Sequence, residues 1–237
     1  MVDIQKKFLE LALEVKALLF GEFTLKSGRE SFYFFNITSF LESGHLGELA
    51  DIYSQKIIES EINYDVIFGP AYKGIPLAAA VSTALSQKSS KLIPVCFDRK
   101  EEKKHGEGGV LIGSVKNKRV LIIDDVLTAG TALRNSIQII QEAGGTVSAA
   151  IIALDRQEQD GGKQISDKLA GELNIPIYSI SNLENLISFL ETNGQKEIAK
   201  KLQLRFVPQL NFSFDNAFEY ANKINKILKE PKVLKDL

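Results

Sequence analysis

Cysteine and histidine are scarce in this chain of 237 residues, and their scarcity excludes two ways of holding a fold together. Cys96 is the only cysteine, so no disulfide can form within the chain, a usage typical of a reducing compartment. Cys96, His45 and His105 together are too few soft ligands for a structural zinc site. The fold must therefore depend on a hydrophobic core, for which the 44% of hydrophobic residues is sufficient.

Long apolar runs and an excess of positive charge are also missing. No segment reaches the roughly 18 consecutive apolar residues of a membrane span. Glu10, Glu14 and Lys16 interrupt the amino-terminal apolar pattern, so we expect an amphipathic helix that ends near Gly21, and not a signal peptide. A formal net charge of −1 argues against a protein that binds nucleic acid in bulk. We therefore expect a cytoplasmic protein with neither a membrane nor a nucleic-acid partner.

From residue 61 onward, short apolar segments alternate with helical patterns. The sequence predicts strands at Val66–Phe68, Leu92–Phe97, Val120–Ile123, Val147–Leu154 and Ile177–Ile180. It predicts helices at Leu46–Glu59 with Ser43 as a candidate cap, at Ile75–Ser86 and at Leu133–Ala143. Such spacing is typical of a doubly wound α/β fold, in which helices flank a mainly parallel sheet.

The first 60 residues lack this alternation. Phe23–Asn36 is rich in aromatic residues, and Lys26–Arg29 is typical of a turn between two short strands. We expect a single domain in which residues 1–60 form an N-terminal helix and a small hood. Residues 61–185 would form the parallel-sheet core, and residues 186–237 would form C-terminal helices.

The most informative segment is 120–132, where an apolar strand runs into two carboxylates. Asp124 and Asp125 are expected where the strand ends, at the edge where open α/β sheets bind ligands. The threonine- and glycine-rich turn that follows would offer backbone N–H groups and the positive end of a helix dipole to a phosphate. Paired carboxylates beside a phosphate cradle predict a ligand that carries a phosphate together with hydroxyls or a metal, and a sugar phosphate fits this description. The alternative is that one aspartate merely caps the following helix.

Residues 98–109 are all charged, histidine or glycine, so none can contribute to a hydrophobic core. A solvated surface loop is one interpretation. A mobile lid is the other, since long structureless loops in compact domains are often functional. In that interpretation the basic side chains would close over an anionic leaving group.

The sequence then resembles a known family. Residues 120–132 resemble the phosphoribosyl pyrophosphate (PRPP) motif of type I phosphoribosyltransferases. Four further segments resemble, in consistent order, those of the orotate phosphoribosyltransferase family, and they are residues 23–36, 69–76, 99–109 and 154–158. The similarity spans roughly residues 20–160. We expect no added orotidylate decarboxylase barrel, because such a barrel alone needs ~250 residues.

This resemblance implies the type I phosphoribosyltransferase fold and a reaction. The reaction is the Mg²⁺-dependent transfer of the 5-phosphoribosyl group from PRPP to orotate, which yields orotidine 5′-monophosphate and pyrophosphate in de novo pyrimidine biosynthesis. Members of the family are usually homodimers, and the resemblance implies that the 98–109 loop is shared across subunits.

The resemblance also implies roles for individual residues. The catalytic residues would be Lys26, Lys103, His105, Asp124 and Asp125. PRPP would be bound by the same five residues together with Tyr72, Lys73, Arg99, Lys100, Val126, Leu127, Thr128, Ala129, Gly130, Thr131 and Ala132. Orotate would be bound by Lys26, Phe34, Phe35, Thr128 and Arg156, with the phenylalanines offering backbone groups. Magnesium would have no direct protein ligand and would be held through PRPP and water.

Some of these residues also have an ordinary structural explanation. Phe34 and Phe35 fit hydrophobic packing equally well, and Arg156 fits a surface ion pair with Asp155 or Glu158. For the whole chain, the alternatives are a PRPP-sensing regulator and a purine phosphoribosyltransferase. The charged loop argues against the regulator, and the aromatic amino-terminal segment with Arg156 favours an acidic pyrimidine.

Overall fold

The computed structural model describes residues 3–25, 28, 30–89, 91–103 and 109–203, without the side chains of residues 100–103. Its helices are α1 (Asp3–Glu14), α2 (Thr38–Glu42), α3 (Leu46–Glu59), α4 (Gly74–Ser89), α5 (Thr131–Glu142), α6 (Ile165–Leu173), α7 (Leu183–Thr192) and α8 (Lys196–Gln203). Its strands are β1 (Leu18–Thr24), β2 (Glu30–Phe35), β3 (Val66–Gly69), β4 (Val95–Lys103), β5 (Gly109–Ile112), β6 (Arg119–Leu127), β7 (Thr146–Asp155), β8 (Gln159–Asp160), β9 (Lys163–Gln164) and β10 (Ile177–Asn182).

Six of these strands form the central sheet, in the order β10-β7-β6-β3-β4-β5. The pairs along this order are parallel up to β4, and β5 joins β4 in antiparallel orientation. The first strand of this sheet along the chain, β3, lies in its interior, and later strands are added on both sides of it. The sheet is therefore doubly wound. This arrangement confirms the predicted fold class.

Strand β6 explains why the sheet is buried on both faces. Leu121 and Ile123 pack into a core cluster that includes α1, α3, α4 and α7. Val120 and Ile122 point the other way, into a cluster that includes α5 and α6. Alternate residues of a strand face opposite sides, so a strand covered on both sides needs a continuous apolar run. The apolar run Val120–Ile123 therefore indicates that helices cover both faces of the sheet.

The amino-terminal segment forms a helix followed by an antiparallel hairpin, β1 with β2. The predicted end of the first helix near Gly21 is wrong, because α1 ends at Glu14 and Gly21 lies within β1. Lys16 has a left-handed backbone with φ of 55°, which no helix can continue through. The predicted pair of short strands is confirmed, whereas Lys26, Ser27 and Arg29 of the predicted turn lie outside the described residues.

The charged segment differs most from the prediction. Strand β4 begins at Val95 and not at Leu92, whose side chain is 94% exposed. It then continues through Lys103, and β5, which the sequence pattern did not predict, pairs with it. The backbone of residues 98–103 is thus strand and not structureless loop, and β5 pairs with its two ends, at Asp98 and at Lys103.

Two further boundaries differ. Helix α3 begins at Leu46 as predicted, but its N-cap is His45, and Ser43 instead follows α2 as its C-cap. Helix α6, which the pattern did not predict, follows the short β8–β9 hairpin. Of the predicted C-terminal helices, the structure describes α7 and α8, and residues 204–237 lie outside the described residues. Among the helices described, none has the length and apolar character needed to cross a membrane.

Candidate active site

Two adjacent carboxylates lie at the carboxyl end of the central strand, β6. Asp124 and Asp125 are inside the strand rather than after it, because β6 continues to Leu127. Each carboxylate folds back on its own backbone: Oδ1 of Asp124 accepts from the N–H of Asp125, and Oδ1 of Asp125 accepts from the N–H of Val126, both at 2.9 Å. Neither caps the following helix, so the alternative of a simple helix cap is wrong.

Next to the carboxylates is a cavity of about 240 Å³. It is lined by Asp124, Val126, Leu127, Thr128, Gly130, Thr131, Ala132, Leu133 and Ile152. The cavity opens onto the start of α5, whose N-cap is Gly130 and whose first turn has no side-chain cap. A helix N-terminus without a side-chain cap presents backbone N–H groups and a positive partial charge, which suits an anion such as phosphate.

Gly130 is required at this turn for two independent reasons. Its φ of 76° is in the left-handed region, where a residue with a Cβ is disfavoured. A Cβ at this position would also overlap Cδ1 of Leu169, on α6. The turn therefore has its shape because α6 packs directly beneath it.

Burial and like charge act together on Asp124. Burial, and then the nearby charge of Asp125, raise the pKa of Asp124 to about 7. Lys73 opposes this shift, with its Nζ atom 3.6 Å from Oδ2 of Asp125. Two adjacent carboxylates repel each other when both are ionised. A bound cation or a set of hydroxyl donors would relieve this repulsion.

Lys73 reaches the carboxylates from the turn between β3 and α4. The turn is tight because Gly69 and Gly74 pack against each other, and a Cβ on Gly69 would lie 2.7 Å from the Cβ of Ala78. Oδ1 of Asp98 accepts a 2.6 Å hydrogen bond from the N–H of Ala71. The peptide bond between Ala71 and Tyr72 is cis, and the Tyr72 side chain is exposed.

Arg156 follows β7 at the same edge of the sheet. Its guanidinium group is buried, with Nε 3.0 Å from Oε1 of Glu158 and Nη2 2.9 Å from Oγ of Ser31. The ring of Tyr33 lies 4.5 Å from the guanidinium carbon. The predicted ion pair with Glu158 is therefore present, but its location at the surface is wrong, because both side chains are less than a tenth exposed.

The two phenylalanines of β2 differ in their surroundings. The ring of Phe35 is buried against Phe8 and Phe40, so its side chain belongs to the core. The ring of Phe34 is 38% exposed and lies against Phe23. The expectation that these residues offer backbone groups to a ligand stays a prediction.

Several predicted site residues lie outside the described residues or are described only in part. Lys26 and His105 are not described, and Lys100 and Lys103 are described in their backbone alone. Arg99 is partly buried on β4, and its Nη1 atom finds no hydrogen-bond partner among the described residues. Their predicted roles stay predictions.

The structure also brings to the site residues that the sequence reasoning missed. They are Tyr53, Asp98 and Ser31, and Glu158 was considered only as a surface charge. Tyr53 sits on α3 and Asp98 in a run of charges, so no spacing along the chain marks them. Their roles depend on long-range contacts, of which Ser31 to Arg156 joins residues 125 apart in sequence.

Within the described part of the chain, no group of three or more His, Cys, Asp or Glu side chains is placed to hold a metal ion. The two carboxylates of Asp124 and Asp125 are nevertheless of the oxygen-donor type that Mg²⁺ prefers. A magnesium ion here would need most of its ligands from a bound substrate and from water, and the expectation of magnesium stays a prediction.

The doubly wound sheet thus carries a partly buried pair of carboxylates beside the N-terminus of a helix. Residues 37–177 match the family described as the phosphoribosyl transferase domain. Orotate phosphoribosyltransferase from Saccharophagus degradans is 46% identical over 199 residues, which cover 84% of this chain and 93% of the relative. The enzyme from Acinetobacter baumannii is 49% identical over 198 residues, covering 83% and 91%.

A solved structure is similar as well. The crystal structure of orotate phosphoribosyltransferase from Francisella tularensis superposes with a TM-score of 0.73 at 41% identity, and the match covers 84% of this chain and 93% of that one. The chain belongs to the orotate phosphoribosyltransferase family.

Proposed function

We propose that this protein transfers the 5-phosphoribosyl group of PRPP to orotate, giving orotidine 5′-monophosphate and pyrophosphate, as a step of pyrimidine biosynthesis. One observation carries this proposal. The cavity that Asp124 lines is continuous with the uncapped start of α5, so hydroxyl acceptors and an anion site adjoin each other. A phosphorylated sugar presents those two kinds of group.

The 5′-phosphate binds at the start of α5. The turn of residues 128–132 supplies backbone N–H groups and threonine hydroxyls, and the helix dipole favours the negative charge. Gly130 gives the turn its left-handed backbone, which a residue with a Cβ would not readily adopt.

Asp124 and Asp125 bind the 2′- and 3′-hydroxyls of the ribose. When the bond from the anomeric carbon to pyrophosphate stretches, positive charge develops on the sugar ring. Fixed carboxylates beside that ring stabilise the charge without having to reorganise. Lys73, whose Nζ atom lies 3.6 Å from Oδ2 of Asp125, would turn its ammonium group toward the departing pyrophosphate.

Magnesium, when bound with PRPP, neutralises pyrophosphate charge and helps the leaving group depart. Asp124 and Asp125 have the oxygen donors that Mg²⁺ prefers, and they would hold the metal mainly through the substrate and water. The protein's own contribution is to place these oxygens at the end of β6.

Orotate binds beside Arg156 and β2. Lys26, Thr128 and the backbone of Phe34 and Phe35 would contact the pyrimidine ring. Arg156 would face the orotate carboxylate, for which a guanidinium is geometrically suited. Arg99, Lys100, Lys103 and His105, on or beside the β4–β5 hairpin, would close over the pyrophosphate.

The enzyme works in the cytoplasm as a homodimer in which the hairpin loop of one subunit completes the site of the other. The test is to mix Lys103→Ala with Asp125→Asn protein and allow the subunits to exchange. Hybrid dimers then carry one site with both residues intact and regain activity. If exchange is demonstrated and no activity returns, the sites are not shared.

The reaction itself is tested by incubating the protein with orotate, PRPP and Mg²⁺ and following the loss of orotate absorbance. Product with orotate and none with adenine or hypoxanthine is the expected result. Turnover of a purine without turnover of orotate would overturn the choice of acceptor. Binding of PRPP without turnover of any base would make the protein a PRPP sensor.

A further inference from the structure

Arg156 is a buried cation, and neighbouring side chains contact its guanidinium group on several sides. Its side chain is 3% exposed and that of Glu158 is 7% exposed, with Nε and Oε1 3.0 Å apart. An ionised group in such a place is tolerated only when a partner and hydrogen bonds replace water. Glu158 is that partner.

The hood holds the guanidinium from a second side. Ser31 accepts from Nη2 at 2.9 Å, and its own hydroxyl donates to the carbonyl oxygen of Tyr33 at 2.6 Å. The Tyr33 ring lies 4.5 Å from the guanidinium carbon and packs against its face. With Nε, Nη2 and one face engaged, Nη1 is the nitrogen that bonds to no described residue.

The backbone that carries Arg156 is fixed as well. Oδ1 of Asp155 accepts from the N–H of Gln157 at 2.8 Å. Gln157 has a left-handed backbone with φ of 49°, and its side-chain Oε1 accepts from the N–H of Glu184, in the first turn of α7, at 2.9 Å. A left-handed non-glycine residue persists only where its surroundings determine it, and such residues concentrate at functional sites.

We propose that Glu158 and Ser31 are positioning residues that orient Nη1 of Arg156 toward the carboxylate of the pyrimidine acceptor. Glu158 fixes the Nε edge, Ser31 fixes Nη2, and the remaining donor points to the substrate. This rests on the proposed function, in which Arg156 faces the orotate carboxylate. It adds that the selectivity for an acidic pyrimidine depends on an ion pair between the protein's own residues.

The test measures kcat and the KM for orotate and for PRPP in Glu158→Ala, Glu158→Gln and Ser31→Ala. Glu158→Ala removes the acceptor and leaves the guanidinium free to turn, so the KM for orotate rises about tenfold or more, as expected for a lost bond to a charged group. The KM for PRPP stays within about twofold, because no PRPP contact has changed. Glu158→Gln keeps an oxygen acceptor and restores the KM for orotate to within about threefold of wild type.

Ser31→Ala is the milder variant and carries the test if Glu158→Ala does not fold. It raises the KM for orotate about threefold to tenfold. Asp51→Asn is the control, since Asp51 forms an exposed ion pair with Lys88 at 2.6 Å, and it leaves both KM values unchanged.

The outcomes distinguish a failure of the proposed function from a failure of the positioning role of Glu158 and Ser31. If wild-type protein does not turn over orotate at all, the proposed function fails and this inference fails with it. If wild type is active but the variants change only the melting temperature, or change both KM values equally, the ion pair is structural and the positioning role is overturned. If Glu158→Gln is as poor as Glu158→Ala, hydrogen-bond positioning by Glu158 is overturned.

Discussion

The hydroxyl of Tyr53 donates a 2.7 Å hydrogen bond to the backbone carbonyl oxygen of Asp124. Tyr53 is fully buried on α3, 71 residues away in sequence. The bond ties a helix that covers one face of the sheet to the strand position that carries the first carboxylate. Burial, and then the two nearby carboxylates, raise the pKa of Tyr53 well above its ordinary value, so the hydroxyl remains a donor.

Replacing Tyr53 with phenylalanine should therefore affect both stability and the site. The lost bond leaves a buried carbonyl less well satisfied and lowers the free energy of unfolding by about 1–2 kcal/mol. With the end of β6 less firmly held, kcat/KM for PRPP falls severalfold. Chemical denaturation and steady-state kinetics measure the two effects. Tyr64→Phe, at the opposite end of the sheet, is the control, and equal behaviour of the two variants would contradict the prediction.

Replacing Asp124 with asparagine should stabilise the protein while abolishing most of its activity. The pKa of Asp124 is raised to about 7 in the folded chain from an ordinary 3.8. The folded state therefore holds its proton more tightly, so this group's contribution to stability is present below pH 4 and is lost as the pH rises through 7. An asparagine avoids that loss.

The measurement is the melting temperature of both proteins between pH 4 and pH 8. Asp124→Asn melts higher than wild type at pH 8, and the difference disappears near pH 4, where the wild-type carboxyl is already neutral. A variant that melts lower than wild type at every pH would show that Asp124 is not the destabilised acid.

Gly130→Ala, in the turn of residues 128–132, should lower the stability of the protein by more than the left-handed backbone angle alone would cost. Gly194 has a similar φ, 79° against 76°, but no atom lies within 4 Å of a Cβ built there. Gly194→Ala therefore measures the cost of the left-handed backbone, about 1–2 kcal/mol. Gly130→Ala adds the overlap with Leu169, so it loses more stability and binds PRPP more weakly.

A double-mutant cycle identifies the cause. Leu169→Ala alone is destabilising, since Leu169 is fully buried. Combined with Gly130→Ala, it makes room for the new methyl group. The double variant therefore loses less stability than the sum of the losses in the two single variants. Simple additivity in urea titrations would mean that the overlap is not what the glycine prevents.

The carboxylate of Asp65 should contribute to stability only above strongly acid pH. Arg119 bonds to it through Nη2 at 2.8 Å and Nε at 3.0 Å, and these side-chain bonds lower the pKa of Asp65 to about 2. The contribution is full above the ordinary pKa of 3.8 and is lost as the pH falls toward 2. Asp65→Asn is less stable than wild type at pH 7 and equal to it near pH 2, measured by denaturation at each pH. A constant difference would contradict this assignment.

Local pattern predicted the sheet core well, and the comparison of Val120–Ile123 with β6 shows both its success and its limit. An apolar run is enough to predict a strand buried on two faces. It cannot show that the strand continues through Asp124 and Asp125, because parallel pairing with β7 extends the ladder regardless of side-chain polarity. Likewise β5 has only four residues, and only its pairing with β4 makes it a strand.

The candidate site was predictable where its residues are close in sequence. Asp124, Asp125 and the turn at Gly130 lie within seven positions, so one motif contains them. Ser31 reaches the site through a tertiary contact with Arg156, and nothing near Ser31 in the chain marks that contact. The burial of Arg156 was not predicted for the same reason, since it depends on the hood.

The packing of Gly69 against Gly74 has a consequence for anyone who diversifies this enzyme. A Cβ on Gly74 would lie 2.5 Å from Cδ of Pro70, whereas Tyr72, two residues away, is 64% exposed. A randomised library across this turn would thus tolerate new side chains at the exposed positions 72 and 73 but not at either glycine. Variation in this turn is best introduced at position 72, because Lys73 pairs with Asp125, and both glycine codons should be held constant.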